Sequence, residues 1–202
     1  MIRDFLIINC TGKNNFIALK IDNKFFSKKI QTNFIKNEMI VSDILTFLKE
    51  NNVKINKKFS LIVNSGPGSF SGIRITLAVA KGIQLVYKIN IYSYNCFLLN
   101  AAPYLNKKIK IISIQKTNKF YYYSEGSFKD HYIFTAPKKI NFNFSDKENF
   151  IIVVPQEIIN DEVFSSINQK KIKIARFNLK NIEILVEKNL LENKLIKPLY
   201  LS

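Results

Sequence analysis

Few residues suited to metal or nucleophilic chemistry occur in this 202-residue chain, which has one histidine, two cysteines and no tryptophan. A zinc site of the H-E-x-x-H or Cys/His type cannot be built on His131 alone. A Ser/His/Asp triad would also depend on His131, and neither Ser69 nor Ser71 lies in a G-x-S-x-G elbow. Scattered acids such as Asp161 and Glu162 are expected to be local caps. We therefore expect no catalytic residue, no metal site and no cofactor in this chain.

Paired cysteines and long apolar runs are lacking too. Cys10 and Cys96 form no C-x-x-C motif and lie far apart, a pattern typical of reduced, buried thiols. No run approaches the roughly 18 uninterrupted apolar residues that a membrane helix needs, and the apolar N-terminal run Phe5–Ile8 is too short for a signal peptide. We expect a cytoplasmic protein without membrane contact.

Positive charge is abundant, but arginine is scarce. The net charge is +16, and only three of the 31 cations are arginines (Arg3, Arg74 and Arg176). A basic chain attracts RNA over long distances, whereas arginine is the residue suited to bidentate recognition of phosphates and bases. A free-standing RNA-binding module and a general enrichment in lysine both stay open at this point.

A glycine-rich loop joins a short apolar strand at Leu61–Val63 to a helix predicted over Ile73–Tyr87. Three of the six glycines and one proline fall within residues 66–72, and Ser71 is the predicted N-cap. Free N–H groups at a helix start can hold an anion, while a close-packed turn would need the same glycines; both interpretations stay open. The candidate anion-binding residues are Ser65, Gly66, Gly68, Ser69, Ser71 and Gly72.

The predicted helix after this loop is apolar around most of its circumference, with Arg74, Thr76, Lys81 and Gln84 as the polar interruptions. A surface helix normally carries one apolar stripe. We therefore expect this helix to be covered on two sides, by its own sheet and by a further helix, domain or protein. Ala80→Glu or Gly82→Glu is then expected to disrupt partner binding without unfolding the monomer.

The order of elements is β-β-β-α-β-α-β-α, followed by a second, less regular half. A three-stranded antiparallel start followed by alternating helices and strands predicts an α/β fold, a mixed sheet with helices on both faces, as in ribonuclease-H-like domains of the actin/Hsp70 type. We predict two lobes, residues 1–103 and a smaller, degenerate lobe at 104–202. The predicted strands are Phe5–Asn9, Phe16–Ile21, Lys24–Ile30, Leu61–Val63, Ile89–Tyr92, Lys108–Ile114, Lys119–Glu125, Lys129–Phe134, Phe150–Val154 and Lys171–Ala175, and the further helices are Lys36–Asn51, Tyr94–Ala102, Pro155–Ser165 and Asn178–Asn189.

The stretch Gly66–Arg74, followed by Leu77–Gly82, closely resembles the signature G-P-G-S-F-T-G-[LI]-R-x-x-x-x-x-A-K-G of the bacterial TsaB family. The C-terminal Lys197–Leu201 is similar to the family's closing P-x-Y-L-R, with Ser202 in place of the arginine. The first strand ends in Asn9-Cys10-Thr11, where the family has an Asp-Thr-Ser type of turn. In the second half Gln115-Lys116-Thr117 replaces an Asp-Ala-Arg type of segment.

The resemblance implies a two-lobed, non-catalytic subunit of the complex that makes threonylcarbamoyladenosine (t6A) in tRNA. Such a subunit pairs with a TsaD-type transferase, which binds the ATP and the metal, and helps to recruit a TsaE-type ATPase; it contacts tRNA through the complex and can form a homodimer when isolated. The partner-binding residues expected by analogy lie on two helices: Met39, Ile40, Ile44, Phe47, Arg74, Ile75, Ala78, Val79, Gly82, Ile83 and Val86.

Two enzymatic alternatives compete with this interpretation. An ATP-binding, sugar-kinase-like enzyme of the same superfold would need acidic residues in its phosphate loops, and the turn at Asn9–Thr11 lacks them. A metalloprotease would need ligand histidines beyond His131. We therefore predict that the purified chain has no ATPase or peptidase activity.

Overall fold

The computed structural model describes residues 2–12, 15–30, 37–117, 120–140, 149–193 and 196–201, with the backbone alone at residues 37 and 38. The chain divides into two compact units. The first comprises Met1–Asn95 and Leu191–Tyr200, and the second comprises Cys96–Leu190 and Leu201–Ser202. The division thus falls at Asn95, before the position proposed from the sequence, and a C-terminal segment returns to the first unit. Whether residues 1–103 and 104–202 act as separate domains stays a prediction.

The first unit contains a five-stranded mixed sheet. Its strands are β1 (Phe5–Asn9), β2 (Phe16–Ile21), β3 (Lys24–Lys29), β4 (Ser60–Asn64) and β5 (Asn90–Tyr94). Their order across the sheet is β3-β2-β1-β4-β5. Strand β2 is antiparallel to both β1 and β3, and β4 and β5 run parallel to β1. All five residues of β1 are buried, as expected for a central strand covered on both faces.

Two helices of the first unit pack on this sheet. The helices are α1 (Asn37–Glu50) and α2 (Phe70–Tyr87). Their apolar sides share one core with alternate residues of the central strands, such as Leu6 and Ile8 of β1 and Leu61 and Val63 of β4. Alternation along a strand sends every second side chain to the same face, so these residues meet the helices.

The second unit repeats the strand topology of the first. Its elements are α3 (Cys96–Ala101), β6 (Lys110–Thr117), β7 (Phe120–Phe128), β8 (Tyr132–Phe134), β9 (Lys138–Lys139), β10 (Phe150–Pro155), β11 (Ile172–Ala175) and α4 (Leu179–Glu187). The sheet has the order β11-β10-β6-β7-β8, with β9 paired to β7. Strand β7 is antiparallel to both β6 and β8, and β10 and β11 run parallel to β6. Both sheets confirm the predicted two-lobed, mixed α/β fold of the actin/Hsp70 type.

Three sequence predictions about local structure were wrong. The N-cap of α2 is Ser69, whose side chain accepts from the Gly72 N–H, and not Ser71. The helix expected from Pro155 to Ser165 is replaced by two short 3-10 turns, Gln156–Ile158 and Glu162–Phe164. Pro103 does not end a helix cleanly but lies inside a 3-10 turn that follows α3. The predicted start of α1 at Lys36 lies outside the described residues.

In the part of the chain that the structure describes, none of the helices combines the length and the apolar character needed to cross a bilayer.

Candidate partner interface and its glycine-rich support

The glycine-rich loop holds the start of α2 against the turn after β1. The Ser69 N–H donates to the Thr11 carbonyl oxygen at 2.6 Å. A Cβ added at Gly72 would collide with the carbonyl oxygen of Cys10, and one added at Gly68 would collide with that of Thr11. These two glycines therefore allow the backbone at the start of α2 to lie close to the backbone of the turn after β1.

A buried amide network joins the same turn to the end of β4. The Asn64 Nδ2 donates to Asn9 Oδ1 at 3.1 Å and to Thr11 Oγ1 at 3.0 Å, and the Thr11 hydroxyl donates to Asn9 Oδ1 at 2.9 Å. The Gly66 N–H donates to Asn64 Oδ1 at 2.9 Å. Since buried polar groups are costly unless they are hydrogen-bonded, this network fixes the relative position of β1, β4 and the loop.

The other side of the loop carries the C-terminal segment. Leu199 N–H donates to the Ser65 carbonyl oxygen at 2.8 Å, and Ser65 N–H donates to the Tyr94 carbonyl oxygen at 2.8 Å. Gly66 has a φ of +115°, and a Cβ there would lie 2.6 Å from the Leu199 carbonyl oxygen. Only glycine suits this position, because the backbone conformation and the neighbour both disfavour a side chain.

These contacts favour the packing interpretation of the loop, because the N–H groups of Gly66, Ser69 and Gly72 are engaged within the chain. Ser69 and Ser71 lie at the exposed end of the loop with their hydroxyl oxygens 3.1 Å apart. Anion binding by the loop stays a prediction.

Helix α2 buries one face and leaves the opposite face open. The buried residues are Gly72, Ile73, Thr76, Val79 and Ala80. One exposed apolar surface on α2 lies towards its C-terminal end: Leu85 is 68% exposed and Val86 72%, and Ala78 and Gly82 are exposed beside them. Gly82 has open space where a Cβ would be. Large exposed apolar side chains grouped on one helix are typical of interaction sites.

Helix α1 adds exposed apolar side chains of its own. Met39 is 49% exposed, Val41 40% and Leu45 55%. A groove of about 540 Å³ lies at the C-terminal ends of α1 and α2, with Leu45 on one wall and Tyr87 on the other. Lys49 and Lys54 also line this groove, which gives the apolar surface a basic border.

The predicted partner-binding residues separate into exposed and buried groups. Ile40, Ile44, Phe47 and Val79 are buried in the core of the first unit, so their side chains support the helices from inside. The exposed or half-buried members are Met39, Arg74, Ile75, Ala78, Gly82, Ile83 and Val86. Three further exposed apolar residues of these helices are not among the predicted partner-binding residues: Val41, Leu45 and Leu85.

The test substitution Ala80→Glu, expected from the sequence to leave the monomer folded, needs correction. Ala80 is fully buried and belongs to the core of the first unit. A carboxylate there would be taken out of water without a partner, so this variant would test folding and not the interface. Gly82 is exposed and suits the test.

Burial controls the chemistry of the thiol below α2. The Cys10 side chain is 1% exposed. Burial raises the pKa of the Cys10 thiol to about 11, and the neighbouring Thr76 side chain partly offsets this rise. A protonated, buried thiol is a weak nucleophile, so Cys10 acts as a packing residue.

In the second unit Asp161, which was predicted to cap a turn, binds two side chains instead. Asp161 makes no side-chain cap; its Oδ2 accepts from Lys116 Nζ at 2.7 Å and from the Tyr121 hydroxyl at 2.6 Å. The hydrogen bond from Lys116 is the main reason that the pKa of Asp161 lies below its ordinary value. Lys116 belongs to the Gln115–Thr117 segment that departs from the family pattern, and here it connects β6 to the turn at Asp161.

Among the described residues there is no group of three or more His, Cys, Asp or Glu side chains arranged to hold a metal ion.

Comparison with known proteins gives one informative sequence match. No protein-family model matches the chain. The tRNA threonylcarbamoyladenosine biosynthesis protein TsaB of Buchnera aphidicola subsp. Baizongia pistaciae is 38% identical over 80 residues, which are 37% of this chain and 36% of that protein. The aligned part thus spans little more than a third of the curated relative.

Solved structures match over the whole chain. YeaZ from Pseudomonas aeruginosa has a TM-score of 0.68 at 12% identity, and an uncharacterized protein with similarity to peptidase YEAZ from Pseudomonas aeruginosa has a TM-score of 0.71 at 10% identity; both alignments cover 100% of each chain. At such identities the likeness concerns the fold. The sequence match to a protein named TsaB confirms the resemblance to the TsaB family that was predicted from the sequence, and the solved structures show that the chain shares the fold of YeaZ.

Proposed function

We propose that this chain is a TsaB-type subunit of the machinery that makes threonylcarbamoyladenosine in tRNA, and that it contributes no catalytic residue of its own. The observation that carries the proposal is the local identity of 38% to a protein of that name. The same type of fold, matched over the whole chain, supports it.

The subunit acts by assembly through its exposed helix surface. Helix α2 presents Ala78, Gly82, Leu85 and Val86 to solvent, and α1 adds Met39. The small Ala78 and Gly82 lie one helical turn apart, which lets a partner helix approach closely, while the larger side chains next to them supply apolar area. Burial of one such large side chain contributes about 1.5–3 kcal/mol.

The partner proposed for this surface is the TsaD-type transferase, whose own helices would cover α1 and α2. The partner then supplies the ATP site and the metal, and a TsaE-type ATPase joins the pair. This division of labour accounts for the exposed apolar side chains on the side of α2 that faces away from its own sheet, and for a chain with a single histidine and scattered acids.

Co-purification with the TsaD-type protein of the same genome tests the proposal, scored together with t6A formation on tRNA by the reconstituted proteins. We expect wild type to form the complex, and Leu85→Glu or Val86→Glu to weaken it at least tenfold because a carboxylate would enter an apolar contact. Ile133→Glu is the matched control, since Ile133 is 54% exposed on β8 of the second unit. Equal complex formation by all variants, or t6A formation that does not need this chain, would contradict the proposal.

A further inference from the structure

Three planar side chains stack on the surface at the start of α2. The ring centroids of Phe70 and Tyr200 are 5.0 Å apart with 33° between the planes. The guanidinium carbon of Arg74 lies 4.5 Å from the Phe70 centroid, over the ring. Phe70 is 56% exposed and Tyr200 44%, and Arg74 is also exposed. Aromatic rings of this size are usually buried, so an exposed stack of this kind needs an explanation.

This stack is held by rigid neighbours. Tyr200 follows Leu199, whose N–H is bonded to the Ser65 carbonyl oxygen, and Ile196 packs against the core of the first unit. Phe70 follows the N-cap Ser69, which is itself bonded to Thr11. The rings are therefore positioned before any ligand arrives, which lowers the entropic cost of binding.

A row of cations continues from this stack along α2. Arg74 and Lys81 are seven residues apart, which is close to two helical turns, so they lie on one side of the helix about 10.5 Å apart. Lys88 is the C-cap residue that follows the last turn of α2. All three are exposed, and α2 contains no acidic residue. Ala78, Gly82 and Leu85 lie on the adjoining stripe, which the proposed function assigns to the protein partner.

We propose that the stack of Phe70, Arg74 and Tyr200, with Lys81 and Lys88, binds a single-stranded segment of RNA. A base stacks on the exposed planar groups, and the cations along α2 meet the phosphates that follow it. Stacking on aromatic and guanidinium planes together with a positive track is how proteins bind single strands without reading their sequence. The proposal rests on the proposed function only in choosing RNA as the nucleic acid.

The charge pattern favours RNA over a second protein as the occupant. A protein contact at exposed aromatics would be expected to pair Arg74 and Lys81 with acids, whereas a polyanion uses the whole row. The chain's net charge of +16 adds a long-range attraction to any polyanion. A protein docking on the stack is the competing outcome of the test below.

The test measures binding of a fluorescein-labelled, single-stranded 12-nucleotide RNA of mixed sequence to the full-length chain, by anisotropy at several salt concentrations. We expect Phe70→Ala and Tyr200→Ala each to weaken binding by roughly 5- to 150-fold, the usual range for loss of one base–aromatic stack. Arg74→Gln and Lys81→Gln should each lower the slope of log affinity against log salt by about 0.7.

Two matched controls separate this site from general basic surface. Phe120 is 48% exposed in the second unit, with Lys139 Nζ over its ring at 3.4 Å, so Phe120→Ala removes an equivalent aromatic–cation pair elsewhere. Lys57 is exposed in the first unit, and Lys57→Gln removes one charge. Both controls should bind RNA as wild type does. Circular dichroism on each variant verifies that the fold is intact.

The outcomes distinguish this proposal from the proposed function. Equal RNA affinity for wild type, Phe70→Ala and Tyr200→Ala, or equal losses in the two controls, would overturn the RNA site while leaving complex formation with the TsaD-type protein untouched. Loss of that complex in Phe70→Ala and Tyr200→Ala with unchanged RNA binding would also overturn it, and would assign the stack to the protein partner. Failure of Leu85→Glu to affect the complex would contradict the proposed function and leave the RNA result standing.

Discussion

At the residue scale, Gly72 and Gly82 of α2 are expected to respond in opposite ways when each is replaced by alanine. Gly72 faces the Cys10 carbonyl oxygen, and an added Cβ would force the β1 turn and α2 apart; Gly82 faces open space. Alanine is ordinarily favoured over glycine within a helix by about 0.5–1 kcal/mol. We predict that Gly82→Ala raises the free energy of unfolding by about that amount, and that Gly72→Ala lowers it by roughly 1–3 kcal/mol.

Urea denaturation of the two variants beside wild type checks this prediction. Because both substitutions add one methyl group to α2, they have the same chemistry and differ only in surroundings. A stabilising effect of Gly72→Ala would show that the helix start does not pack on the Cys10–Thr11 turn in solution.

The buried thiol of Cys10 makes the free energy of unfolding depend on pH above about pH 9. Burial raises the pKa of the thiol from 9.0 to about 11 in the folded chain. As the pH rises, the unfolded chain loses this proton first, so the stability contributed by the buried, protonated thiol is fully present below pH 9 and is lost between pH 9 and 11. The loss is on the order of 2–3 kcal/mol. Unfolding free energies across that range should fall less steeply for Cys10→Ala than for wild type, and parallel curves would contradict the burial of this thiol.

At the scale of elements, the two faces of α2 should respond differently to the same side chain. Ala80 is fully buried and Leu85 is 68% exposed. We predict that Ala80→Glu lowers the free energy of unfolding by roughly 3 kcal/mol or more, because it both overpacks the core and buries a charge. Leu85→Glu should stay within about 0.5 kcal/mol of wild type. Equal losses would mean that Leu85 packs within the monomer.

Strands with a clean apolar pattern were predictable to the residue. Phe5–Asn9 and Phe16–Ile21 have the predicted bounds, because apolar residues between turn signals leave few registers that bury them. The helix predicted after Pro155 was wrong because its apolar residues are interrupted by turn-forming residues. Ile158, Ile159 and Val163 suggest a helix, but Asn160 and Asp161 between them are turn formers, and the chain makes two short turns.

The candidate interface was only half predictable. Periodicity identified α1 and α2 as apolar helices, but it could not say which apolar residues face the sheet, since that depends on the rotation of each helix about its axis. Ile40 and Val79 therefore proved to be core residues, while Leu85 was overlooked. The stack of Phe70 and Tyr200 joins residues 130 positions apart and had no local signal at all.

At the scale of the whole molecule, the two units share one strand topology but differ in the segment that connects their last two strands. In the first unit the 18-residue α2 joins β4 to β5, whereas two 3-10 turns stand between β10 and β11 in the second unit. The proposed partner surface and the proposed RNA site both use α2. Both proposed contact surfaces therefore involve the helix that stands, in the first unit, where the second unit has two short turns.

The chain by itself is predicted to have no ATP turnover. The turn after β1, where Asn9, Cys10 and Thr11 lie, is hydrogen-bonded to Asn64 and Ser69 of the same unit, and it has no acid to bind a nucleotide-bound metal. Phosphate release by the purified chain, compared with the chain plus the TsaD-type protein, is the assay. Turnover by the pure chain at a rate that a single substitution in this turn abolishes would support the kinase-like alternative.

Hydrogen–deuterium exchange tests whether the exposed side of α2 is a contact surface. Exchange is measured on the chain alone and in complex with the TsaD-type protein. We expect slower exchange in the complex for peptides covering the C-terminal half of α2 and its neighbour α1, with β8 of the second unit unchanged. If the complex forms while the exchange of α2 stays as it is in the free chain, α2 is not the contact surface.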